Sequence, residues 1–392
     1  MGIVGGIFKK LTNMANYFLP KKKLRVSLYP GNQLHPSGNT KILYKYLKNQ
    51  GFDCKYILGE TKNREFSSLF RLSTIYYILT SKTIFLDGYD DFGKIGVTTK
   101  LQNIIQTWHA TPIKEIGPYN RDYTFVCSSS KKVGKRFEKI FKCPFKVTGY
   151  PRNDVFFDEK LRDMNYQEKF HLNKYHKVIL YAPTFRDKGA NNPFSDKFLK
   201  EFNDFLRKKN YLFVIRKHPG EKHLAVKNHS NILNEFDKIP DIHEFMVHCD
   251  MLITDYSGIF IDFMILNRPI IFYPYDYEHY VNSCRKLHYE YYEELPGPFA
   301  KKEYDLYEII KNIGDIFNDS NYKNRYKKFL EEFIEVKKNA SKKVCDAAIK
   351  DLIGAVINKN DAKKDLLEKI LEKSCFNRLP EYIIKIDEII SK

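Results

Sequence analysis

A chain of 392 residues, of which 43% are hydrophobic and 15% aromatic, is too long for one ordinary core and predicts two packed domains rather than a disordered protein. The net charge of +18 favours polyanionic partners such as nucleotide phosphates or an anionic membrane surface. No nucleic-acid motif accompanies this charge, so nucleic acid is not expected. Seven cysteines without a CxxC spacing indicate neither a disulfide framework nor a zinc site, and the setting they predict is a reducing cytoplasm.

Residues 1–23 predict an amphipathic helix followed by a cationic cluster. Apolar residues from Ile3 to Leu19 recur at helical spacing, and Lys9, Lys10 and residues 21–23 supply positive flanks. This pattern is typical of a helix that lies in a membrane interface. A first helix packed on the protein's own core is the alternative. No apolar run is long enough to predict a transmembrane span.

Strands alternate with helices in the first half of the chain, which predicts an α/β fold with a parallel sheet covered on both faces. The predicted strands cover residues 24–29, 54–58, 83–86, 104–108, 124–127 and 145–148. The predicted helices cover residues 40–49, 66–79 and 128–141.

The second half repeats this alternation. Its predicted strands cover residues 177–181, 211–216, 251–254 and 270–273, and its predicted helices cover 162–176, 194–208, 241–248 and 257–266. A turn at 149–151 divides a domain of 24–150 from one of 151–330, and residues 331–392 read as C-terminal helices. Two such domains facing each other predict a ligand cleft at the carboxyl ends of both sheets.

Candidate functional residues follow the ends of several predicted strands. His109 follows strand 104–108, where an imidazole that titrates near neutral pH is useful as a base, although a structural histidine is the alternative. Thr111 lies in the same turn. Arg152 follows the 149–151 turn. It is expected to contact a phosphate, unless the turn is only a hinge between the domains.

Cationic residues also follow two strands of the second half. Arg186 follows strand 177–181, and its planar guanidinium suits a pyrophosphate. A surface pair with Asp187 is the alternative. Lys217 and His218 follow strand 211–216, which favours either a bound anion or a solvated basic loop.

The segment 250–263 is the strongest of these stretches. A buried strand passes through Asp255 and Tyr256 into a helix with Ser257 as the predicted N-cap. The backbone amides from Gly258 onward then point out of the helix start, where they bind phosphate. Asp262 lies one turn along and is expected to face the same ligand. An ordinary capped helix is the alternative.

Several of these stretches together resemble the CDP-glycerol glycerophosphotransferases of wall teichoic acid and capsule synthesis. The resembling segments, between Trp108 and Phe299, are WHATPIKEIG, GYPRND, YAPTFRD, RKHP, ITDYSGIFIDF with NRPIIFYPYDYEHY, and EELPGPF. The resemblance implies a glycosyltransferase-B-like fold of two Rossmann-like domains, peripheral on the cytoplasmic face of the membrane. It implies CDP-glycerol as donor and an undecaprenyl-diphosphate-linked saccharide as acceptor. The short length resembles the primase-type members.

The resemblance also implies roles for single residues. The family's essential histidines fall on His109 and His218, and its donor contacts fall on Arg186, Ser257 and Asp262. The full set of candidate substrate-binding residues is Thr111, Arg152, Arg186, Lys217, Ser257, Gly258 and Asp262. Gly258 departs from the family, which usually has a second serine there.

The reaction implied is attack of an acceptor hydroxyl on the glycerol-bearing phosphorus, with His109 as base and CMP as leaving group. The sequence indicates no metal site and no cofactor, and Mg²⁺ paired with the donor pyrophosphate stays open. Three alternatives also stay open: a CDP-ribitol donor, a nucleotide-sugar glycosyltransferase, and a non-catalytic protein that binds membranes or nucleic acid through its charge.

Overall fold

The computed structural model of the chain describes residues 2–31, 36–58, 72–88, 92–119, 121–186, 192–217, 226–234 and 239–357. These residues form two compact units. The first unit contains residues up to 109, residues 118–154 and residues 335–357. The second unit contains residues 110–117 and 155–334. The chain therefore passes more than once from one unit to the other.

Each unit is built on a parallel sheet. The strands of the first are β1 Lys22–Tyr29, β2 Asp53–Tyr56, β3 Ser81–Leu86, β4 Asn103–Gln106, β5 Phe125–Ser128 and β6 Phe145–Val147. Those of the second are β7 Lys177–Ala182, β8 Tyr211–Ile215, β9 Ile232–Asn234, β10 Met251–Thr254 and β11 Ile270–Phe272. The strand orders are β2-β1-β3-β4-β5-β6 and β11-β10-β7-β8-β9, with every pairing parallel.

Helices lie before, between and after these strands. The described α-helices are α1 Gly2–Phe18, α2 Gly38–Asn49, α3 Leu72–Thr80, α4 Lys131–Phe141, α5 Tyr166–Lys169, α6 Asp196–Lys209, α7 Ile242–Met246, α8 Ile259–Phe263, α9 Tyr277–Ser283, α10 Tyr291–Glu294, α11 Glu303–Lys311, α12 Ile313–Asn318, α13 Ser320–Phe333 and α14 Ala340–Ile357. Among the residues described, no helix has both the length and the apolar character needed to cross a bilayer.

The strand interiors are buried and apolar, as parallel strands covered on both faces require. All four residues of β4, β5 and β10 are buried. These features confirm the predicted α/β class and parallel sheets. The hydrophobic pattern does not predict β9, because only Ile232 of its three residues is fully buried.

Capping side chains shift several helix bounds from the predicted ones. The predicted helix 128–141 begins at Lys131, because Ser128 ends β5 and Ser130 accepts a hydrogen bond from Val133 N at 3.3 Å as N-cap. The predicted helix 162–176 was wrong. That segment contains only α5 and a 3₁₀ turn at Leu172–Lys174, since the backbone of His171 is left-handed with φ of 51°. Residues 66–71 of the predicted helix 66–79 lie outside the described residues.

The C-terminal helix α14, which falls within the predicted C-terminal helices 331–392, is part of the first unit. Val344, Cys345 and Ala348 are buried in the same core as Val26 and Leu28 of β1. Residues 110–117 differ from the predicted boundaries, because they belong to the second unit.

Asp154 holds the start of α14. Its carboxylate accepts hydrogen bonds from Ala340 N at 2.8 Å, Ser341 N at 2.8 Å and Ser341 Oγ at 2.6 Å. Burial raises the pKa of Asp154, while the hydrogen bonds from Ser341 and its neighbours act in the opposite direction. Asp154, the last residue of the GYPRND stretch, therefore anchors the first turn of α14.

We expect Asp154→Ala to lower the free energy of unfolding by about 1–3 kcal/mol, because it leaves buried donors of α14 without their acceptor. Urea denaturation measures this change. Asp158→Ala is the matched control, since exposed Asp158 accepts only from Lys160 N in a 3₁₀ turn, and a change within about 0.5 kcal/mol is expected. Equal losses in the two variants would contradict the anchoring role.

Candidate functional site

His109 lies at the carboxyl end of the first sheet, three residues beyond the end of β4, and its side chain is exposed. The residue before it, Trp108, has a left-handed backbone with φ of 50°. Such a conformation costs about 1–2 kcal/mol for a residue with a Cβ, so the surrounding structure must hold it.

Hydrogen bonds hold this turn on both sides of Trp108. The Trp108 carbonyl accepts from Asn39 Nδ2 at 2.8 Å and from Arg152 Nη1 at 3.0 Å. The Trp108 amide donates to Gln106 Oε1 at 3.0 Å. The indole packs edge-on against Tyr119 and Phe141, with ring centroids 5.0 and 5.2 Å away. The turn that presents His109 is therefore anchored to the core.

The imidazole of His109 packs close to its own neighbours in the first unit. Its ring centroid lies 4.3 Å from that of Trp108. Gly88, which follows β3 with φ of 132°, lies so near that a Cβ there would be 3.3 Å from His109 Nδ1. A glycine therefore fits both the backbone conformation and the space beside the ring.

Arg152 does not project from its loop as predicted. Its side chain is 1% exposed, and the guanidinium lies 4.1 Å from the centroid of the Tyr150 ring while it donates to the Trp108 carbonyl. The structure therefore gives Arg152 a supporting contact to the His109 turn instead of a phosphate contact. Sequence reasoning missed Asn39 and Gln106, although Gln106 is a polar residue at the last position of a buried strand.

In the second unit, Thr111 belongs to a short segment that pairs with residues 286–288. Lys114 and Leu287 form an antiparallel bridge, and His288 N donates to the Ile113 carbonyl at 3.0 Å. Thr111 is buried, and its Oγ1 has no hydrogen-bond partner within the part of the chain that the structure describes. The predicted contact of this buried hydroxyl with a substrate stays a prediction.

The backbone of Thr111 also lies directly against Gly258. A Cβ on Gly258 would come far inside contact distance of the Thr111 carbonyl oxygen. A serine here would require that carbonyl to move, which gives a physical reason for the glycine in this chain.

The predicted role of Ser257 as N-cap was wrong. Helix α8 begins at Ile259 with Gly258 as N-cap, and Ser257 Oγ accepts from Ile259 N at 3.4 Å. Ser257 itself is half-buried. Because α8 has five residues, its dipole is weaker than that of the helix expected from the sequence.

Asp262 is buried at 3% exposure and does not face solvent. Its Oδ2 lies 3.2 Å from His243 Nε2, and the His243 backbone amide donates to Asp241 Oδ1 at 3.0 Å. The predicted direct contact of Asp262 with a ligand hydroxyl is therefore replaced by a contact to His243. Sequence reasoning missed His243, because nothing in the spacing of α7 and α8 shows that the two side chains meet.

Arg186 lies in a buried ion cluster beyond the end of β7. Its Nη1 is 2.8 Å from Asp255 Oδ2, and its Nε and Nη2 donate to the two oxygens of Asp276 at 2.9 and 2.8 Å. The Arg186 side chain is 2% exposed and that of Asp255 is 0% exposed. The pairing is therefore bidentate toward Asp276 and desolvated toward Asp255.

Aromatic rings complete this cluster. The Arg186 guanidinium lies 5.0, 5.3 and 5.2 Å from the ring centroids of Tyr256, Tyr275 and Tyr280. Burial opposes the charge of Arg186, but Asp255 and Asp276 outweigh it and raise the pKa of the guanidinium. Burial, with Asp276 and Asp255, also raises the pKa of Tyr256, so its hydroxyl stays protonated.

These contacts change the interpretation of Arg186. Its described donors contact Asp255, Asp276 and the Thr184 carbonyl, which hold the 255–258 turn, and the direct pyrophosphate contact stays a prediction. Asp187, the alternative partner of Arg186, lies outside the described residues. The predicted catalytic residue His218 also lies outside them. Lys217 is described and half-buried at the end of β8. No group of three or more His, Cys, Asp or Glu residues able to hold a metal occurs among the residues described.

Comparison with known proteins agrees with the sequence resemblance. The family model described as CDP-Glycerol:Poly(glycerophosphate) glycerophosphotransferase matches residues 11–350. The teichoic acid poly(ribitol-phosphate) polymerase of Bacillus spizizenii is 32% identical over 330 residues, which cover 75% of this chain and 52% of that protein. The chain thus spans about half the length of this relative. The teichoic acid glycerol-phosphate transferase of Staphylococcus aureus is 27% identical over 388 residues and is covered to 96%.

Solved structures of the wall teichoic acid polymerase TagF share the fold. One of them matches with a TM-score of 0.72 and 22% sequence identity, covering 90% of this chain and 95% of that chain. At this identity the likeness concerns the fold alone.

We expect Arg186→Met to lower the free energy of unfolding by about 3–5 kcal/mol, because Asp255 is left as a buried charge without its cation. Urea denaturation measures the change. Arg207→Met is the matched control: Arg207 pairs with Asp204 on the surface, so the loss expected there is at most about 1 kcal/mol. Unchanged stability of Arg186→Met together with lost donor binding would instead restore the predicted phosphate contact.

Proposed function

The chain belongs to the CDP-glycerol:poly(glycerophosphate) glycerophosphotransferase family, and from that premise we propose that it transfers glycerol phosphate from CDP-glycerol to a hydroxyl of a lipid-linked saccharide. The acceptor we propose is an undecaprenyl-diphosphate-linked saccharide in wall teichoic acid or capsule synthesis, and the by-product is CMP. The family match over residues 11–350 carries this proposal, because it includes every candidate site residue. The glycosyltransferase-B-like fold is part of the same proposal.

In the proposed reaction, His109 removes the proton from the acceptor hydroxyl. The oxygen attacks the glycerol-bearing phosphorus of CDP-glycerol, a new oxygen–phosphorus bond forms, and the bond to the leaving phosphate of CMP breaks. The proton stays on the imidazole until solvent removes it. An exposed imidazole on an anchored turn supports this role, because a base must reach a substrate and keep its direction.

Donor binding is proposed for residues of the second unit. Lys217 and His218 would supply positive charge to the donor phosphates, and the half-buried Ser257 and the backbone at Gly258 would supply hydrogen bonds. The Thr111 hydroxyl would be a further donor to the same ligand. Arg186 and Asp262 would act indirectly, since their described contacts are to other groups of the protein. No cofactor is proposed, and Mg²⁺ on the donor pyrophosphate stays open.

We also propose that α1 places the protein on the cytoplasmic face of the membrane. Among the α1 side chains that the structure describes, polar ones and not apolar ones are buried against the first unit, at Thr12 and Asn16. Asn16 donates hydrogen bonds to the Gly96 carbonyl at 2.8 Å and to Gln102 Oε1 at 3.2 Å. Four large side chains in the described part of the apolar pattern of α1 are exposed instead, with exposed fractions of 55% for Leu11, 56% for Met14, 71% for Tyr17 and 75% for Phe18. An apolar face turned to solvent beside lysines is typical of a membrane-interface helix.

Leu72 and Tyr76 of α3, in the same unit, add to the exposed apolar surface. The exposure of these side chains supports the membrane-interface helix over the alternative of a helix buried by its apolar side.

A ribitol donor is the second candidate. The poly(ribitol-phosphate) polymerase is a closer relative, at 32% identity, than the glycerol-phosphate transferase at 27%. The chemistry at phosphorus is the same for both donors, so a parallel assay with CDP-glycerol and CDP-ribitol decides between them.

We expect His109→Ala to lower the turnover of CDP-glycerol at least about 10²-fold, because a general base contributes about 10²–10⁴-fold. The assay follows CMP release with a lipid-linked disaccharide as acceptor. His176→Ala is the matched control, since His176 is an exposed histidine beside Tyr211 in the second unit and full activity is expected. Full activity of His109→Ala would remove His109 from the base role. No CMP from either CDP-alditol would favour a nucleotide-sugar enzyme or a non-catalytic protein.

We expect Leu11→Glu/Phe18→Glu to lower binding to anionic vesicles at least about tenfold, because each apolar side chain contributes about 1.5–3 kcal/mol when buried. Flotation with vesicles of phosphatidylglycerol and phosphatidylethanolamine measures the bound fraction. Phe157→Glu is the control, since it changes an exposed aromatic residue (51% exposed) in the second unit. Undiminished flotation of the double variant would refute the membrane role of α1.

A further inference from the structure

We propose that Asn39 and Arg152 are positioning residues that set the direction of the His109 imidazole through the carbonyl group of Trp108. This inference rests on the proposed role of His109 as the base. Neither residue touches the reacting atoms in this proposal, and both act on the backbone next to the base.

The geometry of the peptide bond carries the first step. The carbonyl of Trp108 belongs to the planar peptide group that contains the His109 nitrogen, so fixing its oxygen fixes the plane from which His109 departs. Two side chains donate to this oxygen, Asn39 Nδ2 at 2.8 Å and Arg152 Nη1 at 3.0 Å. Two donors that reach one oxygen from different parts of the chain restrict rotation of the plane more than one donor does.

The left-handed backbone of Trp108 makes this restriction necessary. At φ of 50° the residue lies in a conformation that side chains disfavour, and an unsupported turn would relax toward the ordinary region. Relaxation would rotate the same peptide plane and swing His109 with it. The two donors therefore oppose the movement that would displace the base.

Asp87 holds Asn39 in turn. Asn39 Nδ2 donates to Asp87 Oδ1 at 3.0 Å, and the Asn39 backbone amide donates to Asp87 Oδ2 at 3.1 Å. Asp87 also accepts from Thr107 Oγ1 at 3.1 Å. Asn39 and Asp87 are 0% and 2% exposed. Asn39 Oδ1 completes the set by accepting from the backbone amide of Arg152 at 3.1 Å, which links the two positioning residues directly.

Gln106 braces the turn from the other side. Its Oε1 accepts from the amides of Trp108 and Gly88 at 3.0 and 3.1 Å, and its Nε2 donates to the Gly88 carbonyl at 2.9 Å. Gly88 is the residue that lies beside the His109 ring. The loop after β3 and the turn after β4 are therefore held as one piece, with the imidazole packed against it.

The test uses Asn39→Asp in the full-length protein. This variant keeps the shape of the side chain but replaces the Nδ2 donor by an acceptor oxygen. That oxygen then faces two other acceptors, the Trp108 carbonyl and the Asp87 carboxylate, and repels them. We expect kcat to fall about 10–100-fold while the KM for CDP-glycerol changes less than about threefold, because a misplaced base affects the chemical step. Asn103→Asp is the matched control: Asn103 is another buried asparagine of the same unit, at the start of β4, and it donates to the Ala348 carbonyl at 2.9 Å. It should lose stability without the loss in kcat.

Asn39→Ser and Arg152→Lys provide variants without a new buried negative charge if Asn39→Asp does not fold, as judged by circular dichroism and thermal unfolding. Each keeps part of the polar character and is expected to show a smaller loss in kcat than Asn39→Asp. Among these variants, kcat should be higher where more hydrogen-bond donors to the Trp108 carbonyl are kept.

A double variant separates positioning through His109 from a general structural effect. Asn39→Asp/His109→Ala is expected to be no less active than His109→Ala alone, because Asn39 acts only through the imidazole. An additional loss of tenfold or more in the double variant would overturn the inference. So would wild-type kcat in a folded Asn39→Asp when His109→Ala is inactive. Wild-type activity of His109→Ala itself would remove the proposed base and would overturn this inference together with the proposed mechanism.

Discussion

The polar groups at the carboxyl ends of parallel strands impose the constraint on which both units depend. Beyond the strand ends, the backbone N–H and C=O groups no longer have hydrogen-bond partners in the sheet. They are still buried and need other partners, because a buried unsatisfied group costs about 1–3 kcal/mol. In the first unit, Gln106 and Asp87 meet backbone groups of neighbouring loops. In the second, Asp255 accepts from the amides of Thr184 and Tyr256 at 2.8 and 2.6 Å. The same buried side chains that satisfy this requirement also shape the loops that carry the candidate chemistry.

The two units meet this constraint with different chemistry. The His109 turn is held by neutral amides and one arginine on a carbonyl oxygen. The turn at 255–258 is held by an ion cluster in which Arg186 joins Asp255 and Asp276, with Tyr256 stacked on Tyr280 at 3.8 Å. Removing one partner of such a buried ion pair leaves an uncompensated charge, so Arg186 is required where Asp255 is buried. Arg152 and Arg186 therefore both hold a turn, the first through a carbonyl oxygen and the second through carboxylates.

Much of the fold could be predicted from sequence because burial leaves a pattern. Apolar runs marked ten of the eleven described strands, and the parallel sheets followed from the alternation with helices. Helix starts were less certain where several serines or a serine–glycine pair compete for the cap, as at Ser130 and Gly258. The partners of Arg152, Arg186 and Asp262 could not be predicted, because each meets residues that are distant along the chain.

The sequence by itself determined the α/β class, the family resemblance and the strand end at which His109 emerges, because these depend on local periodicity and on motif order. Only the tertiary structure decided which polar residues are exposed and which are internal supports. It turned Arg152 inward onto Trp108, paired Asp262 with His243, and brought Asn39 to the turn before the candidate base. The physical reason is that side-chain partners are set by packing between elements, and spacing along one element carries no information about that packing.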